Sequence, residues 1–521
     1  MKKFSRLGIL GLAILCALGP WANAPAQDKD EKASEKKAEK PEESAPPKEE
    51  SSTTEHTIKI GGQTIPYKAI AQTILLKNEK GDAEALVYST SYIRSDVKDS
   101  STRPLAFLYN GGPGSSSVWL HMGSFGPKRV VTVNAGVTPP APYKAEDNPY
   151  CLLDKADLVF VDPVGTGFSH AVGKAQNKDF WGVDQDVKSL AQFISIYVTR
   201  NNRWNSPKCL IGESYGTFRS AALGNYLQSQ DNMYLNGIVL ISSVLDLGTI
   251  SFPPGNDMPY VFYLPSYAAT AWYHKVLKDR PADVMAFVDA ARKYALGDYA
   301  SALEKGSNLT DAEKSEVAKK LSSFTGLSED YLMRANLRVN LPQFMEELQR
   351  SRGLTTGRLD ARFSGPTYDL LSEYAEYDPQ ETAISGAFVA IFNSYIREDL
   401  KFGMDKTYQV GADGAGREWD WKHKGADQYG FPGAPNVEND LVQAIISNPH
   451  LKVEVENGIY DLATPFLATE FTMDHLGLAP NLRQNIKLQY YQAGHMMYLH
   501  DEDLARLKTN VANFIEGAAK P

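Results

Sequence analysis

The chain has 521 residues, of which 43% are hydrophobic and 11% aromatic, so it can bury a large core in one or two domains. Its net charge of −9 and the lack of a basic cluster argue against nucleic acid as a partner. The nine histidines are scattered without metal-ligand spacing, and three cysteines are too few for a disulfide framework. We therefore expect neither a metal site nor a cofactor.

The first 26 residues have the pattern of a signal peptide. Basic residues within the first six positions precede a short apolar run, and small residues at Ala24 and Ala26 form a cleavage pattern. The run is shorter than the roughly 20 apolar residues that span a bilayer. Leu15 is bulky where a lipoprotein site at Cys16 would have a small residue. The sequence predicts an exported protein, periplasmic or secreted, without stable membrane insertion after signal removal, and the brevity of the signal points to a bacterial envelope.

Residues 27–57 contain no Val, Ile, Leu, Phe, Trp or Tyr and are rich in Glu, Lys, Ser and Pro. Such a segment cannot bury enough apolar surface to offset the entropy lost on ordering. We therefore expect residues 27–57 to form a disordered charged linker.

Residues 58–249 alternate apolar runs with amphipathic stretches. Strands are predicted at 105–109, 158–161 and 238–241, and apolar residues at helical spacing over 187–197 predict a helix. Strands separated by helices predict a parallel sheet with right-handed crossovers. This segment is interpreted as the first part of an α/β core.

The pattern changes between residues 250 and 430, where helical signals dominate. Thr310 and Glu313 form a capping-box pattern, and aromatic residues are dense. We expect a largely helical insertion that caps the carboxyl edge of the sheet. Strand patterns return at 453–455 and 486–490, so residues 431–521 are predicted to complete the core.

Ser214 lies in the run Gly212-Glu213-Ser214-Tyr215-Gly216, directly after an apolar strand pattern. A serine at such a strand-to-helix turn is held on a strained backbone with its hydroxyl exposed above the sheet. A serine hydroxyl is a weak nucleophile at neutral pH and needs a base, which in turn needs an acid to fix its tautomer.

Asp461 and His495 are the candidates for that acid and base. Each directly follows a predicted strand, and the chain order Ser, Asp, His is the one expected on this kind of sheet. The alternatives are a turn aspartate and a packed or surface histidine. Three other histidines are weaker candidates because none follows a strand through a glycine turn: His170, His475 and His500.

The glycine-rich run at residues 110–114 also follows a strand and leaves backbone N–H groups accessible. The N–H groups of Gly112 and Tyr215 are predicted to form an oxyanion hole, a contribution of roughly 3–4 kcal/mol per donor. A purely structural glycine turn is the alternative.

Together these motifs resemble the serine carboxypeptidase family. The matching segments are residues 110–117, 162–169 and 212–216, the segment around Asp461, and residues 494–496. The resemblance implies an α/β-hydrolase fold, with a mostly parallel sheet flanked by helices. It also implies hydrolysis of peptides with a free C-terminus, through an acyl-enzyme and without a cofactor.

The resemblance further implies that Asn110 and Glu213 bind the terminal carboxylate of the substrate. A carboxylate beside an ionised Glu213 would be repelled, so one of the two groups should hold a proton. Affinity should then be highest at acidic pH. A glutamate that simply faces solvent is the alternative.

Three positions depart from the family pattern. Ser115 replaces a cysteine, Ile459 replaces an aspartate, and Ser124 replaces a glutamate, which puts strongly acidic activity in doubt. Cys151 and Cys209 could form one disulfide, but small packed thiols are favoured.

Two other functions remain open. An esterase or acyltransferase would use the same triad, whereas a non-catalytic binding protein is less favoured because all three triad positions are filled. Four residues are candidates for side-chain pockets, although packing explains each equally well: Trp119, Tyr215, Tyr273 and Met496. The sequence indicates neither a side-chain preference nor an oligomeric state.

Overall fold

The computed structural model describes residues 47–424 and 433–520. The predicted signal peptide and residues 27–46 of the predicted linker lie outside the described residues. Within the described residues, no helix is both long and apolar enough to cross a membrane.

A ten-stranded sheet forms the centre of the molecule. Its strands are β1 (Ser51–Ile60), β2 (Gln63–Lys77), β3 (Ala83–Arg94), β4 (Leu105–Tyr109), β5 (Asp157–Val161), β6 (His170–Ala171), β7 (Lys208–Glu213), β8 (Gly237–Ile241), β9 (Lys452–Gly458) and β10 (Ile486–Tyr491). The spatial order is β1-β2-β3-β5-β4-β7-β8-β9-β10, with β6 beside β3. From β5 to β10 in this order, all neighbours are parallel, whereas β1, β2 and β3 add an antiparallel extension.

Twelve helices of six or more residues lie within the described ranges. They are α1 (Val183–Arg200), α2 (Tyr215–Ser229), α3 (Met258–Tyr273), α4 (Val284–Tyr294), α5 (Ala300–Lys305), α6 (Asp311–Thr325), α7 (Glu329–Arg334), α8 (Leu341–Glu347), α9 (Pro379–Glu398), α10 (Glu438–Ser447), α11 (Phe466–Asp474) and α12 (Asp501–Ala518). The predicted capping box is present at the start of α6, where the Thr310 and Glu313 side chains each bond the other's backbone N–H.

The two faces of the sheet carry separate hydrophobic clusters. Along β4, Ala106 and Leu108 point to the face covered by α9 and α12, whereas Leu105, Phe107 and Tyr109 point to the face covered by α1, α2 and α10. A strand buried on both faces needs a continuous apolar run, which is why the sequence signal for these strands is strong. The predicted strands at 105–109, 158–161, 238–241, 453–455 and 486–490 all lie within observed strands.

The expectation of a disordered linker over residues 27–57 is wrong for its last part. Residues 51–57 belong to β1, which pairs with β2 along its whole length, from Ser51 opposite Gln72 to Ile60 opposite Gln63. An edge strand satisfies its backbone hydrogen bonds on one side and needs few apolar side chains. Composition alone therefore missed it, although threonine favours strands.

The segment predicted as a helical insertion divides between two cores. Residues from α3 to α8 form a third hydrophobic cluster, which also includes Ile459 and Phe466 beside the carboxyl edge of the sheet. In contrast, Ile384, Phe388 and Phe392 of α9 belong to the cluster on one sheet face. The later part of the segment therefore packs as part of the sheet core.

The core contains two buried cysteines and one fully buried ion pair. Cys151 and Cys209 are both buried, and neither forms a disulfide with another described residue, which agrees with the favoured interpretation of packed thiols. The guanidinium of Arg219, fully buried on α2, donates to Asp186 on α1 at 2.6 Å and to the backbone carbonyl of Asn110 at 2.7 Å. This ion pair fastens the glycine-rich loop after β4 to the helices behind the sheet.

Substituting Asp186→Ala should lower the free energy of unfolding by about 3–5 kcal/mol, because it leaves the Arg219 guanidinium buried without its counter-charge. Urea denaturation followed by tryptophan fluorescence measures the change. The control is Asp330→Ala, which removes an exposed ion pair with Arg334 and should change stability little. A loss as small as that of the control would contradict the structural role of the buried pair.

Candidate active site

Ser214 lies at the turn between β7 and α2. Its backbone has φ 59° and ψ −130°, a conformation that costs a non-glycine residue about 1–3 kcal/mol. The turn is tight, since a Cβ atom on Gly212 would overlap the carbonyl of Gly216. The glycines of the motif therefore allow the serine to project from the carboxyl edge of the sheet.

His495 and Asp461 form a buried hydrogen bond, with 2.7 Å between Nδ1 of the imidazole and Oδ2 of the carboxylate. The carboxylate is itself held from several sides. Its Oδ1 accepts the N–H groups of Ala463 at 2.8 Å and Thr464 at 2.9 Å, and its Oδ2 accepts the Thr464 hydroxyl at 2.8 Å. These contacts fix the direction in which the carboxylate faces the imidazole.

The surroundings of His495 favour its protonated form. Burial lowers the pKa of the imidazole, but the charge and hydrogen bond of Asp461, together with the smaller effect of the Glu213 charge, raise the pKa above its ordinary value. With Nδ1 directed at Asp461, the other ring nitrogen, Nε2, is left for a group in the cavity. Such an imidazole can accept and return a proton.

Ser214 and His495 line the same cavity, which has a volume of about 220 Å³. The cavity opens at the carboxyl edge of the sheet, and its walls come from the glycine-rich loop, the Ser214 turn, the His495 loop and the predicted insertion. The lining residues are Asn110, Gly111, Gly112, Ser115, Trp119, Glu213, Ser214, Arg358, Leu359, Glu381, Ile384, His495 and Met496.

The glycine-rich loop lies directly against the start of α2. A Cβ atom on Gly111 would overlap the backbone nitrogen of Tyr215, so only glycine permits this approach. Among the described residues, the N–H groups of Gly112 and Tyr215 have no hydrogen-bond acceptor. Gly112 lines the cavity, whereas the side chain of Tyr215 is buried away from it against Trp419.

Asn110 and Glu213 meet at the base of the cavity. The Asn110 amide donates to Glu213 Oε1 at 3.0 Å, and the Asn110 side-chain oxygen accepts the N–H of Leu120 at 2.9 Å. The second oxygen of Glu213, Oε2, is buried and makes no hydrogen bond within the described ranges. The buried hydroxyl of Tyr498 likewise has no partner there, and it lies close enough to Glu213 to lower the pKa of this carboxyl against the larger effect of burial. Burial raises the pKa of Glu213 to about 7, so the carboxyl changes its charge close to neutral pH.

The structure gives Ser124 and Ser115 different surroundings. Ser124 is fully buried and donates its hydroxyl to the Leu120 carbonyl at 2.7 Å. Because serine stands where the family has a glutamate, this position supplies no second carboxyl near Glu213. Ser115 lines the cavity and accepts the indole N–H of Trp119 at 3.2 Å.

Of the four pocket candidates, two line the cavity and two do not. Trp119 and Met496 contribute to its wall, whereas Tyr215 is buried in the core and Tyr273 packs against Tyr460. Sequence reasoning missed Arg358, Leu359, Glu381 and Ile384. They come from the insertion, which has no local motif that could have identified them.

The segment 358–360 joins the loops of Asp461 and His495. The carbonyl of Arg358 accepts the N–H of Leu462 at 3.0 Å, and the carbonyl of Leu359 accepts the N–H of His495 at 2.7 Å. The carboxylate of Asp360 accepts the N–H of Gly494 at 3.2 Å. The insertion therefore supports the arrangement of the site directly.

Comparison with known sequences identifies the family that the motifs resemble, and comparison with solved structures identifies proteins with a similar fold. The sequence model described as serine carboxypeptidase matches residues 76–509. Serine carboxypeptidase-like 36 of Arabidopsis thaliana is 35% identical over 146 residues, which cover 28% of this chain and 28% of that relative. The chain thus matches this curated relative over less than a third of its length.

The crystal structure of Kex1(delta)p, a prohormone-processing carboxypeptidase from Saccharomyces cerevisiae, has a TM-score of 0.56 to this chain. The match covers 86% of this chain and 91% of that one, at 17% sequence identity. At this identity the likeness bears on the fold alone, and it agrees with the predicted α/β-hydrolase fold. Because the family model covers most of the sequence, the chain belongs to the serine carboxypeptidase family of serine hydrolases.

Proposed function

We propose that this protein is a serine-type carboxypeptidase in which Ser214 is the nucleophile, His495 the general base and Asp461 the residue that orients the base. The observation that carries the proposal is the 2.7 Å hydrogen bond between His495 and Asp461, at a cavity that His495 shares with a serine on a strained turn. This is the set of groups that acyl transfer requires.

In the proposed reaction, Ser214 Oγ attacks the carbonyl carbon of the last peptide bond while Nε2 of His495 takes the hydroxyl proton. The oxyanion that forms would accept the free N–H groups of Gly112 and Tyr215. When the intermediate collapses, the protonated His495 gives its proton to the leaving amine. Water then attacks the acyl carbon while His495 takes a proton from it. The bond between the acyl carbon and Ser214 Oγ breaks, His495 returns the proton to Oγ, and the shortened peptide is released.

Recognition of the free C-terminus is proposed for Asn110 and Glu213. The substrate carboxylate is ionised above about pH 4, so it needs hydrogen-bond donors. A protonated Glu213 can donate from Oε2, the oxygen that lacks a partner, and the Asn110 amide is adjacent.

We also propose that the enzyme acts outside the cytoplasm, in the periplasm or as a secreted protein. This rests on the signal-peptide pattern of the first 26 residues. We further propose that residues 58–249 and 433–520 form the hydrolase core together with β1 and α9, and that the segment from α3 to α8 forms its helical insertion.

The purified protein should hydrolyse N-blocked dipeptides with a free C-terminus and leave the amidated forms intact, because only the free carboxylate can be bound by Asn110 and Glu213. Ser214→Ala should lower kcat by about 10⁴-fold or more. Release of amino acids, followed by chromatography, measures both effects. Ser229→Ala, at the exposed end of the same helix, is the matched control and should keep full activity.

Either of two experimental results would favour a different function. Hydrolysis or transfer of activated esters without peptide hydrolysis would identify an esterase or acyltransferase that uses the same three residues. Failure of a fluorophosphonate probe to label Ser214 would favour a non-catalytic binding protein on this fold.

The KM for such a dipeptide should rise as the pH increases through about 7, because Glu213 loses its proton and its charge then repels the substrate carboxylate. Below that pH the protonated carboxyl donates and KM should be low. Glu213→Gln keeps a neutral donor at every pH, so its KM should vary little between pH 5 and 9. Initial rates across this range measure the effect.

Glu316→Gln, on an exposed part of α6, is the control and should keep the wild-type pH profile of KM. An unchanged KM profile in Glu213→Gln would rule out the proposed role of Glu213 and leave the roles of Ser214, Asp461 and His495 untouched.

A further inference from the structure

The cavity contains a charged residue that the proposed reaction does not use. Arg358, from the insertion, lines the cavity together with Ser214 and His495. Its side chain is exposed, and its only hydrogen bonds within residues 47–424 and 433–520 are those of its backbone, so its guanidinium is unpaired there. An arginine is always charged and carries five N–H donors, so this cation is available to a ligand in the cavity.

The backbone of Arg358 is held in place on both sides. Its N–H donates to Asp378 Oδ2 at 2.8 Å, and its carbonyl accepts the N–H of Leu462, next to Asp461, at 3.0 Å. The following residue, Leu359, accepts the N–H of His495 at 2.7 Å. The guanidinium therefore extends from a backbone that is fixed relative to the reacting groups.

Electrostatics also place Arg358 close to the reacting groups. Its positive charge lowers the pKa of His495, against the larger opposite effect of the Asp461 carboxylate. A charge that acts on His495 also acts on a substrate group bound beside His495, because the two positions share one cavity and Coulomb interactions depend on distance.

Glu381 lines the same cavity and carries the opposite charge. Its backbone N–H donates to the other oxygen of Asp378, Oδ1, at 3.1 Å, but its carboxylate makes no ion pair with Arg358. Glu381 lies in the first turn of α9, where the positive end of the helix dipole compensates a negative charge. The Arg358 guanidinium makes no ion pair with any described carboxylate, and it lies at no helix end that would compensate its charge.

The rest of the wall near these charges is largely apolar, with Leu359, Ile384, Trp119 and Met496. An apolar wall with one uncompensated guanidinium suits a side chain with a short hydrocarbon stem and a carboxylate tip, since arginine binds carboxylates through two parallel hydrogen bonds. We propose that Arg358 is a specificity-determining residue that favours substrates with an acidic side chain on a residue flanking the scissile bond. This inference rests on the proposed function.

The test compares N-blocked dipeptides that carry Glu, its neutral isostere Gln, or Lys, in one series before the scissile bond and in another after it. The wild-type protein should have a higher kcat/KM for Glu than for Gln in one of the two series. Arg358→Gln should lower that Glu:Gln ratio about tenfold, and the ratio cancels any change in kcat/KM that the lost charge beside His495 causes for both substrates alike. Arg358→Glu should reverse the preference towards Lys.

Three variants serve as controls. Arg358→Lys keeps the positive charge but cannot form the bidentate hydrogen bond to a carboxylate. Its Glu:Gln ratio should therefore lie between those of the wild type and Arg358→Gln. Arg334→Gln removes the same charge from the exposed α7 and should leave the ratio unchanged. Glu381→Gln should not lower the ratio, because it removes the competing anion.

The same ratio can be measured without catalysis. Calorimetry gives the Kd of the Glu and Gln peptides for Ser214→Ala and for Ser214→Ala combined with Arg358→Gln. Tighter binding of the Glu peptide, abolished in the double variant, supports the proposal even if no peptide is cleaved. Equal binding of both peptides, no binding of either, or a Glu:Gln ratio that Arg358→Gln leaves unchanged would overturn it.

Discussion

The site depends on one constraint, which is that neighbouring parallel strands end at the same edge of a sheet. Asn110, Ser214, Asp461 and His495 all follow the carboxyl ends of strands in the parallel part of the sheet. Residues more than 380 positions apart thereby line one cavity or hydrogen-bond at its wall. The hydrogen bond between His495 and Asp461 joins the loops after two adjacent strands, β9 and β10.

Close backbone contacts then fix the distances between the loops that carry the site residues at this edge of the sheet. Gly111 lies against the first N–H groups of α2, and the buried pair of Arg219 and Asp186 holds the carbonyl of Asn110 from behind the sheet. The segment 358–360 holds the loops of Asp461 and His495 through backbone hydrogen bonds. The insertion is thus part of the support for the proposed triad as well as a source of cavity residues.

The two acidic side chains of the site, Asp461 and Glu213, differ in the hydrogen-bond partners that surround them. Asp461 accepts three hydrogen bonds from Ala463 and Thr464 and another contact from His495, so its carboxylate is held in one orientation. Glu213 is equally buried but has one oxygen without a partner, and burial raises its pKa to about 7. The two carboxyl groups are thereby suited to different tasks. Asp461 can orient the imidazole of His495, and Glu213 can donate a hydrogen bond into the cavity.

The sequence by itself determined the core strands, the α/β class and the family, because strands buried on both faces need continuous apolar runs and the turn at Ser214 needs its glycines. It could not show that residues 51–57 form an edge strand, since that strand is held by backbone pairing with β2. Nor could it identify Arg358 and Glu381 as cavity residues, because no local pattern marks them. Their position follows from how the insertion packs on the Asp461 and His495 loops, and only the tertiary structure decides such contacts between distant segments.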